Sequence, residues 1–481
     1  MTQPLPKLHI GLLWSYGFFT IACIALAMYL DFKPLMLAPA ILPAVLIGLS
    51  NFPQLYYILL FFLPLSMEFS FTPSLGTDLP SEPLMIGLML VTFFYLVKNQ
   101  NALPQKFYTH PLLLLLLLHM GWIFIATLNA LNFTVSIKVF TAKIWYITVF
   151  VFLTAIVINS FNKFQKAFWC IFFPLLATAI VTMIRHAFKD FGFEDINRCV
   201  TPYFANHVNY ALMLVVFYPF IWMASTWYEK YSWQWWILAF AKVFFIIAIY
   251  FSYTRAAMAA AVVMIPFFLI IRWRLMKLTL AVAAILSLAG VAYMVNDNRF
   301  LKHAPEFDST IYHDEFSDHM SATFEGKDVS SMERVYRWIA GGRMIMDRPL
   351  MGVGPGNFFP YYKKYAVSSF ETWVSDNEER STIHNYFLLL LVEQGIFGLL
   401  IFLAFTAYIF LLGENLYHRM ANDYQKNLLM AVMLSLMAIY LSLTLNDMLE
   451  NDKIGTLFFF NVSLLLIFAT KPLLDSEGKQ S

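Results

Sequence analysis

The sequence predicts an all-α, polytopic membrane protein of about 12–14 transmembrane helices with one large extracytoplasmic loop. Three observations predict it. Hydrophobic residues make up 60% of the 481 positions and charged residues only 13%, about half the charged share of a soluble domain. Mean hydropathy is +0.65. Apolar runs of about 20 residues, the length that crosses a hydrocarbon core, recur along the whole chain, and the loops between them alternate in charge. A net charge of +2 does not suggest nucleic acid, so the expected partner of this surface is the lipid bilayer.

In chain order the spans are expected at 10–30, 34–50, 54–68, 83–97, 111–130, 138–159, 165–186 and 207–226, then at 234–253, 256–271, 277–294, 386–413, 427–446 and 454–470. The first apolar run is longer than a secretory h-region of roughly 7–15 residues, and further spans follow, which predicts an uncleaved first span. The spans at 54–68 and 83–97 are short, which fits tilted, broken or re-entrant segments. With the N-terminus in the cytoplasm, the short inside loops carry Lys98, Lys106, Lys163, Lys166, Lys230, Arg272, Arg274, Lys277, Arg419, Lys426 and Lys471. The outside loops "FSFTPSLGTDLPSE" and "NDMLEND" are acidic or neutral. This agrees with the positive-inside rule and predicts that both termini are cytoplasmic.

The chain divides into N-terminal transmembrane helices (1–294), an extracytoplasmic (periplasmic) loop region (295–385) and C-terminal transmembrane helices (386–481). The loop region carries Trp338, Phe358, Phe359, Tyr361, Tyr362 and Trp373, which suit packing on the membrane face. Within it "SSMERVYRWIAGGRMIMDRPL" predicts an amphipathic helix, with a capping box of Ser330 and Glu333. Met332, Val335, Ile339 and Met346 recur on one face, Trp338 borders it, and Pro349 ends it. The three cysteines, Cys23, Cys170 and Cys199, show neither a disulfide framework nor metal-ligand spacing.

Arg255 stands between two long apolar runs in "YFSYTRAAMAAA", which predicts a tight outer hairpin at "SYTR". Two readings are open: an arginine that snorkels or caps the turn, or one that faces a cavity and binds an anion. Arg198 lies in the 187–206 loop, on the same predicted side. His384 stands where the large loop re-enters the membrane. It reads either as a helix cap or interface residue, or as the group that moves a proton near neutral pH. Arg334 and Arg337 share a helix face, and with Arg343 they read as a solvated basic face or as a site for anionic phosphates. Lys143 lies deep in its span and needs a partner. "GVGPG" at 352–356 reads as a compact turn, with ligand contact through its amides as the alternative; it lacks the spacing of a dinucleotide fingerprint.

His384–Asn385, nine residues, Gly395, two residues, Gly398 resembles the signature of the O-antigen ligase and O-antigen polymerase (Wzy-C-like) superfamily. "RWIAGGRMIMDRPLMGVGPGNF", "TPYFANHVNYALML" and "SYTRAAMAA" are similar to family segments, and the likeness covers roughly 195–415. Leu399 departs from it, standing where ligases often carry Thr or Val. The resemblance implies a GT-C-like, inverting glycosyltransferase needing no metal and no cofactor, multi-pass in a bacterial inner membrane, with a periplasmic active site.

The resemblance further implies an undecaprenyl-diphosphate-linked glycan as donor. The acceptor hydroxyl would belong to lipid A core in lipopolysaccharide biosynthesis. Alternatives within the superfamily are an O-antigen or exopolysaccharide polymerase and a protein O-oligosaccharyltransferase. The implied catalytic residues are His384, Arg255 and Arg198. The candidate substrate-binding residues, from the residues themselves as well as the resemblance, are Arg334, Arg337, Arg343, Asn385, Asn206 and Lys143, the last outside the stretch of likeness. A lipid-linked glycan transporter is the rival from another class, but matching halves, common in transporters, are not apparent.

Overall fold

A computed structural model of the chain describes residues 7–29, 38–72, 75–296, 329–366 and 382–470. Among these, eleven helices are long and apolar enough to cross a membrane. The N-terminal set is α1 (Lys7–Tyr29), α2 (Ala38–Phe62), a hairpin of β1 (Met67–Thr72) and β2 (Leu75–Leu79), α3 (Ser81–Lys98), the short α4 (Gln105–Tyr108) and α5 (Pro111–Leu128). Next come α6 (Phe133–Val157) and α7 (Phe161–Ala187), then the short α8 (Ile196–Val200), α9 (His207–Ala224), α10 (Trp233–Tyr250), α11 (Arg255–Arg272) and α12 (Met276–Val295). After the loop region follow α13 (Val329–Asp347), α14 (Phe358–Tyr362), α15 (Tyr386–Arg419), α16 (Asp423–Leu443) and α17 (Asp452–Thr470).

The spans expected at 34–50 and 54–68 correspond to two helices that meet at a kink within α2, at Asn51 (φ −154°, ψ 70°). The structure corrects the expectation in two places. The outer loop at 69–82 was expected without strands. It holds an antiparallel hairpin with Met67 opposite Leu79 and Phe69 opposite Thr77, so the chain is largely rather than wholly helical. The second concerns the face of α13. It buries Glu333, Arg337, Ala340 and Met344, while Met346 is 83% exposed. Apolar periodicity chose the wrong stripe because the buried one carries an ion pair. The side chains of Ser330 and Met332, and all of Trp373 and Lys471, lie outside the described residues.

α17 is the central helix, 89% buried across its apolar window, whereas α12 is 6% buried and peripheral. Lipid tails are as apolar as the helices, so close packing rather than hydrophobic exclusion holds such a bundle together. Gly413 shows how close: a Cβ there would lie 2.0 Å from Met433 Sδ of α16.

The loops gather at two ends. At the basic end, Tyr57 donates to the Lys163 carbonyl at 3.3 Å, Lys166 sits over the Tyr57 ring, and His418 Nε2 reaches the Ile271 carbonyl at 2.8 Å. At the other end meet the starts of α9, α11 and α15, the end of α16 and the hairpin. The expected turn at "SYTR" is there: α10 ends at Tyr250, α11 begins at Arg255, and Tyr253 takes φ +55° to close it.

Candidate active site

The site begins at the head of α15. Asn385 caps the helix, its Oδ1 accepting from Leu388 N at 2.9 Å, and its Nδ2 donates to the Thr444 carbonyl at 3.1 Å. His384 precedes the cap at φ +55°, a left-handed conformation that costs a non-glycine residue roughly 1–2 kcal/mol. α13 lies across this approach. Trp338 Nε1 donates to the Ile383 carbonyl at 3.1 Å and Arg337 Nη1 to the Thr382 carbonyl at 3.0 Å. Arg337 also faces Glu333 at 3.6 Å, with its side chain only 6% exposed.

His384 is therefore half-buried beside two guanidinium groups. Burial first, then the charges of Arg337 and Arg334, push its pKa down to about 3. At neutral pH the imidazole is uncharged and holds a lone pair. Its Nδ1 is buried with no hydrogen-bond partner among the described residues.

The second half of the H-N-x9-G-x2-G spacing has a structural reason. α15 is broken at Gly395 (φ +69°, ψ −173°), and the 349–358 loop docks on the break. Ile396 N donates to the Pro349 carbonyl, Val353 N to the Val392 carbonyl and Gly354 N to the Glu393 carbonyl, each at 2.9 Å. A Cβ on Gly395 would lie 2.1 Å from the Leu350 oxygen. The amides of Gly356 and Phe358 both donate to the Glu393 carboxylate, at 2.9 and 3.0 Å. The compact turn read from "GVGPG" is thus present, and its amides are taken up by this chain itself: those of Gly352, Val353 and Gly354 by backbone carbonyls and that of Gly356 by the Glu393 carboxyl.

The turn from Thr444 to Lys453 connects the parts. Thr382 Oγ1 donates to Asp447. Burial raises the Asp447 pKa, opposed by the Thr382 hydrogen bond, while Glu450 raises it further and Arg337 lowers it. Glu450 pairs with Lys143 of α6 at 2.7 Å, and the lysine side chain is 7% exposed. Tyr146 donates to Asp452. Lys453 Nζ donates to the carbonyls of Ser66 (2.9 Å), Pro64 (3.4 Å) and Tyr203, and lies over the Phe204 ring. Sequence reasoning used "NDMLEND" only as an acidic topology marker and missed Asp447 and Glu450. The signal that points to them is the unpartnered Lys143, which demands an acid from the same end of the bundle.

Arg198 and Arg255 belong to a neighbouring cluster. Asn197 Oδ1 accepts from His207 N at 3.0 Å, Thr254 Oγ1 donates to the His207 carbonyl at 3.3 Å, and Tyr253 donates to the Phe191 carbonyl at 2.6 Å. These bonds stitch the 191–207 segment to the turn before Arg255, the half-buried first residue of α11. Arg198 on α8 is 86% exposed, 3.7 Å from Asp195. Asn206 caps α9, accepting from Asn209 N at 3.0 Å. Arg343 is exposed and donates to the Tyr365 carbonyl at 3.1 Å.

The structure thus brings His384, Asn385, Arg334 and Arg337 into one cluster, with Lys143 joined to its edge through Glu450. Arg198, Arg255 and Asn206 form a second cluster at the same end. The Thr444–Lys453 turn lies between them, reaching Thr382 on one side and Tyr203 on the other.

Fold and site together define a multi-span membrane protein with a polar, partly charged centre where several helices begin at one end of the bundle. Residues 240–403 match the sequence profile of the O-antigen ligase (Wzy_C) family. The match supports assignment to the O-antigen ligase and polymerase superfamily, and with it a general glycan-handling function of the ligase or polymerase kind. It includes Arg255, Arg334, Arg337, Arg343, His384, Asn385, Gly395 and Gly398, while Lys143, Arg198 and Asn206 lie outside it. No curated protein matches the chain.

Proposed function

We propose that this protein is an O-antigen ligase-like glycosyltransferase with a GT-C-like arrangement. It moves a glycan from undecaprenyl diphosphate to an acceptor hydroxyl, lipid A core in the first instance, at the periplasmic face of a bacterial inner membrane. The observation that carries this reading is His384: a half-buried, neutral imidazole beside two guanidinium groups, at the head of the helix in which the family match ends.

In this reading the acceptor oxygen attacks the anomeric carbon from the face opposite the diphosphate. Its proton passes to Nδ1 of His384, the ring nitrogen with no hydrogen-bond partner among the described residues. The bond from the anomeric carbon to phosphate oxygen breaks, the configuration inverts, and the lipid diphosphate departs with the electron pair. Arg198 and Arg255 hold the diphosphate, and Arg334 and Arg337 add positive field beside His384. The fork of an arginine suits phosphate oxygens. Stabilising charge that grows in the transition state commonly contributes roughly 2.7–4 kcal/mol per donor. Asn385, Asn206, Arg343 and Lys143 shape the surrounding surface; Lys143 does so through its pair with Glu450.

The test is transfer in proteoliposomes with a lipid-diphosphate-linked glycan and a candidate acceptor, read as a new glycosidic bond. Full transfer by His384→Ala overturns the base assignment. Movement of donor across the bilayer with no new bond overturns the enzyme reading in favour of a transporter. The glycan phenotype of a deletion strain selects the acceptor. Loss of all attached glycan marks a ligase, and a single attached repeat a polymerase. Altered glycoprotein mobility with normal envelope glycan marks protein transfer.

A further inference from the structure

Glu393 is buried, and both its carboxylate oxygens are engaged by backbone amides, Oε2 by Gly356 and Oε1 by Phe358. The loop that supplies those amides has positive φ at Gly352 (+70°), Gly354 (+100°) and Gly356 (+74°). Amides turned inward by such a backbone form a concavity that holds an acceptor group. Here that group is the carboxyl of an α15 side chain. The loop begins where α13 ends, and α13 carries Arg334 and Arg337. Glu393 lies on the same helical segment as Asn385, ahead of the break at Gly395, so it belongs to the segment whose head carries His384. The carboxylate therefore ties the guanidinium-bearing element to the imidazole-bearing one.

We propose that Glu393 is a positioning residue that sets the spacing between the α13 guanidinium groups and His384. This rests on the functional reading above. The loop cannot be held as well by main-chain bonds alone. The bonds from Val353 and Gly354 to the carbonyls of Val392 and Glu393 hold its first half, and only the carboxylate reaches Gly356 and Phe358 in the second. Neighbouring space is filled: a Cβ on Gly356 would lie 2.9 Å from Val135 Cγ1 and Val139 Cγ2 of α6. Ser136 of α6 holds the same half, its Oγ donating to the Pro355 carbonyl and accepting from Asn357 Nδ2, each at 2.7 Å, so loss of the Glu393 bonds leaves this half on α6 and frees it to move against α15, which carries His384.

The test uses the full-length protein in proteoliposomes, with Glu393→Gln as the main variant and Glu393→Ala as the second. Glutamine keeps the size but turns an NH2 group toward one of the two amides, which loses its acceptor. The expected result for Glu393→Gln is a kcat lowered by ~10- to 100-fold per folded molecule, the scale of a small misplacement of reacting groups. Donor KM stays within about twofold, because donor binding and the chemical step are separable. Amide hydrogen exchange in peptides covering 349–360 speeds up. A kcat per folded molecule equal to that of the wild type overturns the positioning role, and so does unchanged exchange in those peptides. A loss of activity that disappears on correction for the folded fraction overturns it too, leaving a structural role only. Failure of the base reading is separate: His384→Ala at full rate removes the base, while the exchange and kcat of Glu393→Gln still decide the role of Glu393.

Discussion

Two groups of arginines stand at the same end of this bundle, and the fold treats them differently. Arg337 is almost wholly enclosed, aimed by Glu333 and the Thr382 carbonyl, and felt electrostatically by His384. Arg198 is open to solvent, with one carboxylate at a distance too long for a strong bond. A buried ion pair costs desolvation and returns it only in good geometry, so the first arrangement is held in place before any substrate arrives. The second keeps its rotamer freedom until an anion orders it. The contrast suggests a division of labour, a preorganised centre around His384 and an adaptable rim around Arg198.

Variants can break or sharpen that contrast. The largest expected effect is at the centre: His384→Ala should lower transfer by about 10²–10⁴-fold, the usual contribution of a general base, without loss of membrane insertion. Arg337→Ala removes the cation from a buried pair and should cost about 3 kcal/mol of stability, read as a lower unfolding temperature in detergent as well as lost transfer. Gly395→Ala should cost about 2 kcal/mol, because it forces a side chain into a positive φ and against the Leu350 carbonyl. At the rim, Arg198→Ala should change stability by less than about 1 kcal/mol, as exposed ion pairs do. Its effect should fall on donor KM and weaken as salt rises. Equal stability losses for Arg337→Ala and Arg198→Ala would dissolve the distinction.

The partial burial of His384 also predicts a pH dependence. Its folded pKa, about 3, is below the usual value of about 6.5. The unfolded chain therefore binds the extra proton first. The contribution of His384 to stability is complete above about pH 6.5 and is lost progressively as pH falls toward 3. His384→Gln, which does not titrate, should flatten that part of the stability–pH curve. The acid limb of kcat/KM, which reports the free enzyme, should lie well below pH 6.5. A limb at or above that value would mean an exposed imidazole.

Much of the fold was legible in the chain, for particular reasons. The spans from α5 onward were found near their observed places because each is a long apolar run with charged or polar ends. The two helices that meet within α2 were expected as separate spans because Asn51 and Pro53 interrupt the apolar run, and the chain breaks at Asn51. The hairpin at Met67–Leu79 was missed although Met67–Thr72 alternates apolar and polar residues, because a short segment between two spans was taken only as a connecting loop. For the site, His384, Asn385, Gly395 and Gly398 were visible as a spacing, yet the spacing alone did not say why the glycines are there. The backbone at Gly395 does: the 349–358 loop needs that room. Glu393 went unassigned because an acid inside an apolar run has no partner in the sequence, and its partners are amides of another segment.

Composition and order along the chain determined by themselves that this is a multi-span membrane protein, roughly where it crosses, and which segments resemble a glycan-transferring family. Transfer energies of side chains and the charge bias of loops are local and nearly additive, so a one-dimensional reading captures them. Only the tertiary structure decided that Lys143 meets Glu450, that Thr382 meets Asp447, that the buried stripe of α13 is its charged one, and that Arg198 and Arg337 stand in different surroundings. Those pairings join residues far apart in the chain, and their energies depend on distance, direction and burial, which exist only once the helices have packed.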